Sequence, residues 1–262
     1  MEITYIVIFG MLGAAIGSFL NVVIDRLPAG KSIASPPSSC DACQHRLSWP
    51  DLFPVFSYLF LRGRCRYCKA KIPQRVFWVE LGTGLLTGYL FWRFGWKPIL
   101  PVMIVYCSAL IAIGMIDLKD GLIFPAIVFP VAFVALIVNF FIPNLFSWHN
   151  FLFGLMGAAF GSIFLLLAFF LSKLILKKEG MGLGDVYMAA MMGFMVGFPN
   201  IIVALFSGIL PGGLVAIFLV SSKKKSMKDG IPTGDFLAIG TIIALLWGTQ
   251  IMHWYLHLAH FE

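Results

Sequence analysis

Long apolar runs separated by short polar breaks fill almost the whole chain. They cover about residues 3–24, 76–94, 99–117, 122–142, 151–176, 185–198, 200–220 and 236–258. A helix crosses the hydrocarbon layer in roughly 17–25 residues. Backbone groups that meet no water there must bond within the helix. The pattern therefore predicts an all-α polytopic membrane protein with about eight transmembrane helices. The sixth run is short and rich in Met and Gly, so its limits are the least defined. Only residues 26–75 look soluble, with Pro, Ser, Arg and Lys in place of apolar runs. The expected organisation is a first transmembrane helix over 1–25, a small cytoplasmic domain over 26–75 and a seven-helix membrane domain over 76–262.

Composition agrees with a membrane setting. The chain has 262 residues, 60% of them hydrophobic and only 12% charged, with a mean hydropathy of +0.93. A soluble domain carries about 25% charged residues. The basic residues are unevenly placed. Arg26, Lys31, Arg46, Arg62, Arg64, Arg66, Lys69, Lys71 and Arg75 lie between the first and second runs. Lys119 follows the third run, Lys173, Lys177 and Lys178 surround the end of the fifth, and Lys223, Lys224, Lys225 and Lys228 follow the seventh. Of the 19 basic residues, only Arg93 and Lys97 fall in the other set of loops.

The positive-inside rule then puts the basic loops in the cytoplasm and both termini outside. One run fewer would scramble this asymmetry, so charge supports the count of eight. The net charge of +7 points to anionic lipid and not to nucleic acid. Met1-Glu2 offers no basic leader region, so the first run is expected to be a retained helix. Its Gly10, Gly13 and Gly17 predict a close helix contact.

The polar segment carries Cys40-Asp41-Ala42-Cys43 and, after 21 intervening residues, Cys65-Arg66-Tyr67-Cys68. Paired C-x2-C knuckles at such a separation are a zinc signal. Four thiolates close a tetrahedral shell and leave no open position, so the expected zinc is structural. A reducing cytoplasm disfavours the alternative of disulfides. A segment of about 50 residues buries little core, which a metal staple offsets. Cys107, alone in the third run, reads as a small packing residue.

Ionisable groups at membrane depth are costly and mark function. Asp117 closes the third run, and Asp185 opens the sixth after Gly180-Met181-Gly182-Leu183-Gly184. The third run heads inward and the sixth outward, so both acids reach the cytoplasmic boundary although 68 positions apart. The glycines let the backbone there approach a substrate or a partner helix. Two adjacent carboxylates share a proton. Helix dipoles predict that Asp185, in a first turn, keeps the charge and Asp117, in a last turn, the proton. Such a pair activates water and polarises a carbonyl, which hydrolyses a peptide bond without metal.

The alternative is a proton-coupled membrane transporter, since paired intramembrane carboxylates also form relays. Against it, no inverted repeat is visible and the acids lie at one face, away from the midplane. A third reading is an idle membrane scaffold presenting a zinc module.

Read in order, the motifs resemble the bacterial type IV prepilin peptidases, a family of membrane aspartic enzymes. Gly17-Ser18-Phe19-Leu20-Asn21-Val22-Val23 and Arg26-Leu27-Pro28 match the family's opening. Both knuckles, Ser57-Tyr58-Leu59 and Leu61-Arg62-Gly63-Arg64-Cys65 match its cytoplasmic domain, and Val79-Glu80-Leu81 the entry to the second helix. Ile116-Asp117 with Pro125, and Gly180 to Val186, resemble its two aspartate motifs.

The resemblance implies removal of a short basic leader from prepilins and pseudopilins at the cytoplasmic face of the inner membrane. It also implies N-methylation of the new terminus with S-adenosylmethionine, an activity associated with the cytoplasmic domain. Asp117 and Asp185 occupy its catalytic positions, and Cys40, Cys43, Cys65 and Cys68 its zinc positions. No separate methyl-donor motif is visible in this sequence.

The chain departs from the pattern at Tyr187, where Lys is usual, at Thr233-Gly234-Asp235 in place of Phe-Gly-Pro, at Asp41 in place of Pro, and at Phe77-Trp78 in place of Tyr-Pro. These departures bear on substrate preference. Asp235 reads as a solvated loop residue, with leader binding as the alternative. Glu80 reads as an anchor paired with an Arg, with positioning of substrate or methyl donor as the alternative.

Overall fold

Each of the eight apolar runs folds as one helix. In chain order the helices are α1 Glu2–Arg26, the short α2 Phe56–Phe60 in the polar insert, α3 Gln74–Phe94, α4 Ile99–Asp120, α5 Pro125–Phe141, α6 Phe151–Leu176, α7 Leu183–Val196, α8 Asn200–Ser221 and α9 Gly234–Leu258. The computed structural model describes residues 2–142, 151–176, 182–222 and 233–258. Lys177, Lys178, Gly180, Met181, Lys223, Lys224, Lys225 and Lys228 lie outside the described residues. Among the described residues, β pairing is limited to two isolated bridges in the polar insert.

By length and composition, α1, α4, α6, α8 and α9 are each able to cross a membrane. The apolar helices α5 and α7 are shorter, at 17 and 14 residues. α3 is the least apolar of the eight because its buried side carries Glu80, Thr83 and Thr87. With large apolar side chains such as Phe140, Leu174, Leu214 and Ile217 on its outside, the chain is a multi-pass membrane protein.

The chain divides into two compact units, residues 1–112 and 113–262, with the division inside α4. In the first unit α3, grouped on sequence with the later helices, packs along α1. The predicted glycine seam makes this contact. A Cβ at Gly13 would lie 2.5 Å from the Thr87 side chain, and one at Gly17 would lie 2.8 Å from the Glu80 Cα. Without a hydrophobic drive between helices in lipid, such close backbone approach supplies the association. At the other end of the seam Phe9 stacks on Phe91 with ring centroids 4.4 Å apart, and Trp96 packs edge-on against both.

In the second unit α7 lies at the centre and packs against α5, α6, α8 and α9. Its Met188, Met191, Met192 and Met195 are fully buried. Flexible thioethers fill the irregular gaps between four neighbours. Gly193 faces the α6 backbone at Gly157 and Ala158 so closely that any side chain there would collide.

Candidate aspartate site and cysteine cluster

The site in the second unit is built at the start of α9. A helix begins with four N–H groups that have no partner within the helix. Here the first two, of Gly234 and Asp235, donate to Asp117 Oδ2 at 2.7 and 3.2 Å. That of Phe236 donates to Asp235 Oδ1 at 2.8 Å, and the Leu237 N–H makes the first regular helical bond, to the Thr233 carbonyl at 3.0 Å. Asp117, carried by α4, thus caps a helix remote in sequence. Gly234 makes the approach possible, because a Cβ there would lie 2.9 Å from Asp117 Oδ2.

Thr233, at the N-cap position, is left with its hydroxyl to spare. That hydroxyl donates to Asp185 Oδ1 at 2.8 Å. Asp185 Oδ2 accepts the Gly182 N–H at 3.1 Å, the reach-back of a capping box in the first turn of α7. Consecutive residues 233 and 234 therefore hold one aspartate each. Both carboxylates are buried, at 5% and 6% exposure. Their donors offset the desolvation that burial brings.

Ile123, in the link from α4 to α5, sits between the two helix starts. A Cβ at Gly184 would meet it at 2.9 Å, and one at Gly234 at 3.0 Å. Of the glycine run, Gly184 thus serves a close contact with a neighbouring segment. Tyr187 is 41% exposed and packs its ring 5.6 Å from that of Phe129.

One expectation changes here. Asp235 is not a loop residue, because it opens α9 and its N–H faces Asp117. Asp117 lies in the last turn of α4, and its carboxylate turns to the N-terminal end of α9. Thr233 and Gly234, read only as a departure from the family pattern, and Ile123 were not expected beside the aspartates. The signal for the first two was a Thr-Gly-Asp triplet ahead of an apolar run, an N-cap pattern on the same face as both acids.

The first unit carries the cysteines. The two knuckles fold alike. Cys40 N–H bonds the His45 carbonyl, and Cys65 N–H bonds the Ala70 carbonyl, at 3.0 and 2.8 Å. Gln44 and Lys69, one residue past each second cysteine, share positive φ of 56° and 60°. All four sulfurs lie within 4.8 Å of one another, with Cys40 and Cys68 at 3.7 Å. A tetrahedral shell with metal–sulfur bonds of about 2.3 Å separates its sulfurs by roughly 3.8 Å. The cluster fits a metal ion. N–H groups of Cys68 and Tyr67 hold the Cys65 thiol down to about 7, while the neighbouring thiol of Cys43 helps push Cys68 up to about 12; a bound metal ion would ionise both.

Two further contacts tie the knuckles. His45 lies against Tyr67 with ring centroids 3.7 Å apart. The Asp51 carboxylate, 3% exposed, accepts from the Ser48 N–H and hydroxyl, Arg66 Nε and the Tyr67 hydroxyl. Burial opposes its ionisation, but the bonds from Ser48, Arg66 and Tyr67 hold it below the usual carboxylate range.

Glu80 does not pair with an Arg among the described residues. Its Oε2 accepts the Val55 N–H at 2.7 Å, with Ser18 beside it. Val55 has φ +63° and ψ −52°, with Phe56 N–H bonding back to Pro54, a γ-turn of the rare positive-φ kind. Cys107 is buried, as a packing residue should be.

The sequence profile of the Type IV leader peptidase family matches residues 104–217, and that of the Bacterial Peptidase A24 N-terminal domain matches residues 11–94. The chain is 35% identical over 275 residues to a prepilin leader peptidase/N-methyltransferase of Pseudomonas aeruginosa, covering 96% of this chain and 93% of that protein. A protein of the same name from Stutzerimonas stutzeri is 35% identical, covering 95% of this chain and 93% of its own length. Another from Aeromonas hydrophila is 32% identical, with 92% and 90% covered. No solved structure matches the chain. Relatives this similar run along nearly the whole sequence, and both profiles fall on it in order, so the chain belongs to the type IV leader peptidase family.

Proposed function

We propose that Asp117 and Asp185 are the catalytic pair of a membrane aspartic peptidase that removes the leader of prepilins and pseudopilins. One observation carries the reading: two buried carboxylates, far apart in sequence, are held by the consecutive residues Thr233 and Gly234.

Main-chain N–H groups only donate, so Asp117 Oδ2 is an acceptor and cannot hold the shared proton. The positive end of α9 supports the charge there. Asp117 is then the base and Asp185 the acid, the reverse of what their own helices suggest. Asp117 Oδ1, with no partner among the described residues, takes a proton from water as the water oxygen bonds to the carbonyl carbon. Asp185 gives its proton to the carbonyl oxygen. Asp117 next protonates the leaving nitrogen while Asp185 recovers a proton from the diol, and the C–N bond breaks. The pair returns to its starting state.

The same chain N-methylates the new terminus. S-adenosylmethionine would supply an electrophilic methyl group. Asn21 Oδ1 on α1, buried without a donor among the described residues, and Glu80 on α3 offer acceptors for an ammonium group. Zinc would be held by Cys40, Cys43, Cys65 and Cys68 as a structural ion that staples the insert and takes no part in hydrolysis. The basic insert and the aspartates face the cytoplasm of a bacterial inner membrane, with both termini outside. Proton-coupled transport has no counterpart among the relatives named above.

The test is to incubate the purified protein, in lipid, with a prepilin and follow the product by mass. Loss of the leader, followed by a gain of one methyl group that needs the methyl donor, is expected. An intact substrate after full turnover time would reject the reading.

A further inference from the structure

We propose that Thr233 is a positioning residue of this peptidase, whose hydroxyl keeps Asp185 in one orientation through both of its protonation states. The inference rests on the assignment of Asp117 and Asp185 as the catalytic pair.

Asp117 Oδ2 faces the N–H groups of Gly234 and Asp235, and Asp185 Oδ2 faces the N–H of Gly182. These partners only donate, and they fill both lone-pair sites of Asp117 Oδ2 and one of Asp185 Oδ2. Asp185 Oδ1 alone faces a hydroxyl, at 2.8 Å. A carboxyl oxygen has two lone-pair sites, so Oδ1 keeps the Thr233 bond at one while the other gains or loses the proton that passes to the substrate. In hydrolysis Asp185 must give up a proton and recover it. Thr233 lets it do so without moving, because the same two oxygens stay bonded in either state.

An N-cap threonine would ordinarily turn its oxygen back to an N–H of its own helix. That duty is already filled. The N–H groups that an N-cap side chain reaches, of Asp235 and Phe236, are taken by Asp117 and Asp235. Removing the Thr233 hydroxyl therefore costs α9 no cap bond. Valine keeps the branched shape, so Thr233→Val subtracts the hydroxyl and little else.

The experiment compares Thr233→Val, Thr233→Ser and Thr233→Ala with the parent chain in lipid, using a prepilin substrate. Methyl transfer to an already cleaved peptide serves as the check on folding. Thr233→Val should lower kcat roughly ten- to a hundredfold, the range for losing a hydrogen bond to a charged group. KM should stay within about twofold, and Thr233→Ser should recover most of the lost rate. A Thr233→Val enzyme at parental kcat overturns the inference, as do Val and Ser variants that are equally slow. If Thr233→Val does not fold, the Ala and Ser variants decide on the same terms. Asp117→Asn and Asp185→Asn separate the two ideas. Full activity in either removes the catalytic pair and Thr233's role with it, whereas dead Asp variants beside a fully active Thr233→Val remove only the latter.

Discussion

Asp117 Oδ2 accepts the Gly234 N–H at 2.7 Å, so a side chain of α4 serves as the cap of α9. The contact needs a bare Cα, since a Cβ on residue 234 would stand 2.9 Å from that oxygen and 3.0 Å from the Ile123 side chain. Gly234→Ala should therefore push Asp117 out of line. A misplacement of about 1 Å costs up to about a hundredfold in rate. Leader cleavage should fall by that order while methylation of an already cleaved peptide continues. Cleavage at the parental rate would show that the cap is not needed.

The cysteine cluster makes a second prediction. Removing metal with a chelator, or making Cys65→Ser, should expose residues 26–75 to proteases while the helical circular dichroism of the membrane part stays. A structural metal contributes its binding free energy to folding, and so small an insert has little else. Metal analysis should find one zinc per chain in the parent and none in the variant. Unchanged protease resistance without metal would contradict the structural assignment.

Asp51 gives a prediction in pH. Its carboxyl is held below the usual carboxylate range in the folded insert. A depressed folded-state value means that the native state binds fewer protons than the unfolded chain. The stabilisation is then fully present above the unfolded value of about 3.9 and is lost as pH falls through the lower folded value. The part of the insert's protease protection that Asp51 supplies, read as the difference between parent and Asp51→Asn, should be lost only below about pH 4. Asp51→Asn should show part of that loss already at neutral pH, because Arg66 and Ser48 then lose their charged acceptor. An Asp51→Asn insert as resistant as the parent at pH 7 would contradict this.

The helices were legible because hydrocarbon demands unbroken apolar runs, and each run became one helix. The cysteines were legible because metal chemistry fixes both residue type and spacing. The meeting of Asp117 and Asp185 at one end followed from alternation of direction alone. What the sequence hid was long-range. The partner of the Asp117 carboxylate is α9, which begins 117 positions after it, and not the helix that carries it. Glu80 likewise bonds the backbone of Val55 in a strained turn, a contact that no charge pattern announces. The pairing of α3 with α1 rests on small residues at one face, a weak signal until the partner is known. Thr233 and Asp235 read as departures from a family pattern, and only the geometry turned them into parts of the site.

The account depends on two aspartates acting as one unit. The direct test is a cycle of Asp117→Asn, Asp185→Asn and the double variant, with kcat for leader removal measured on the purified protein in lipid. Each single change should lower kcat by more than about a thousandfold, and the double should be no slower than the worse single, as for residues that work together. Either single variant cleaving at the parental rate, or a double whose loss is the product of the two, would contradict a shared mechanism.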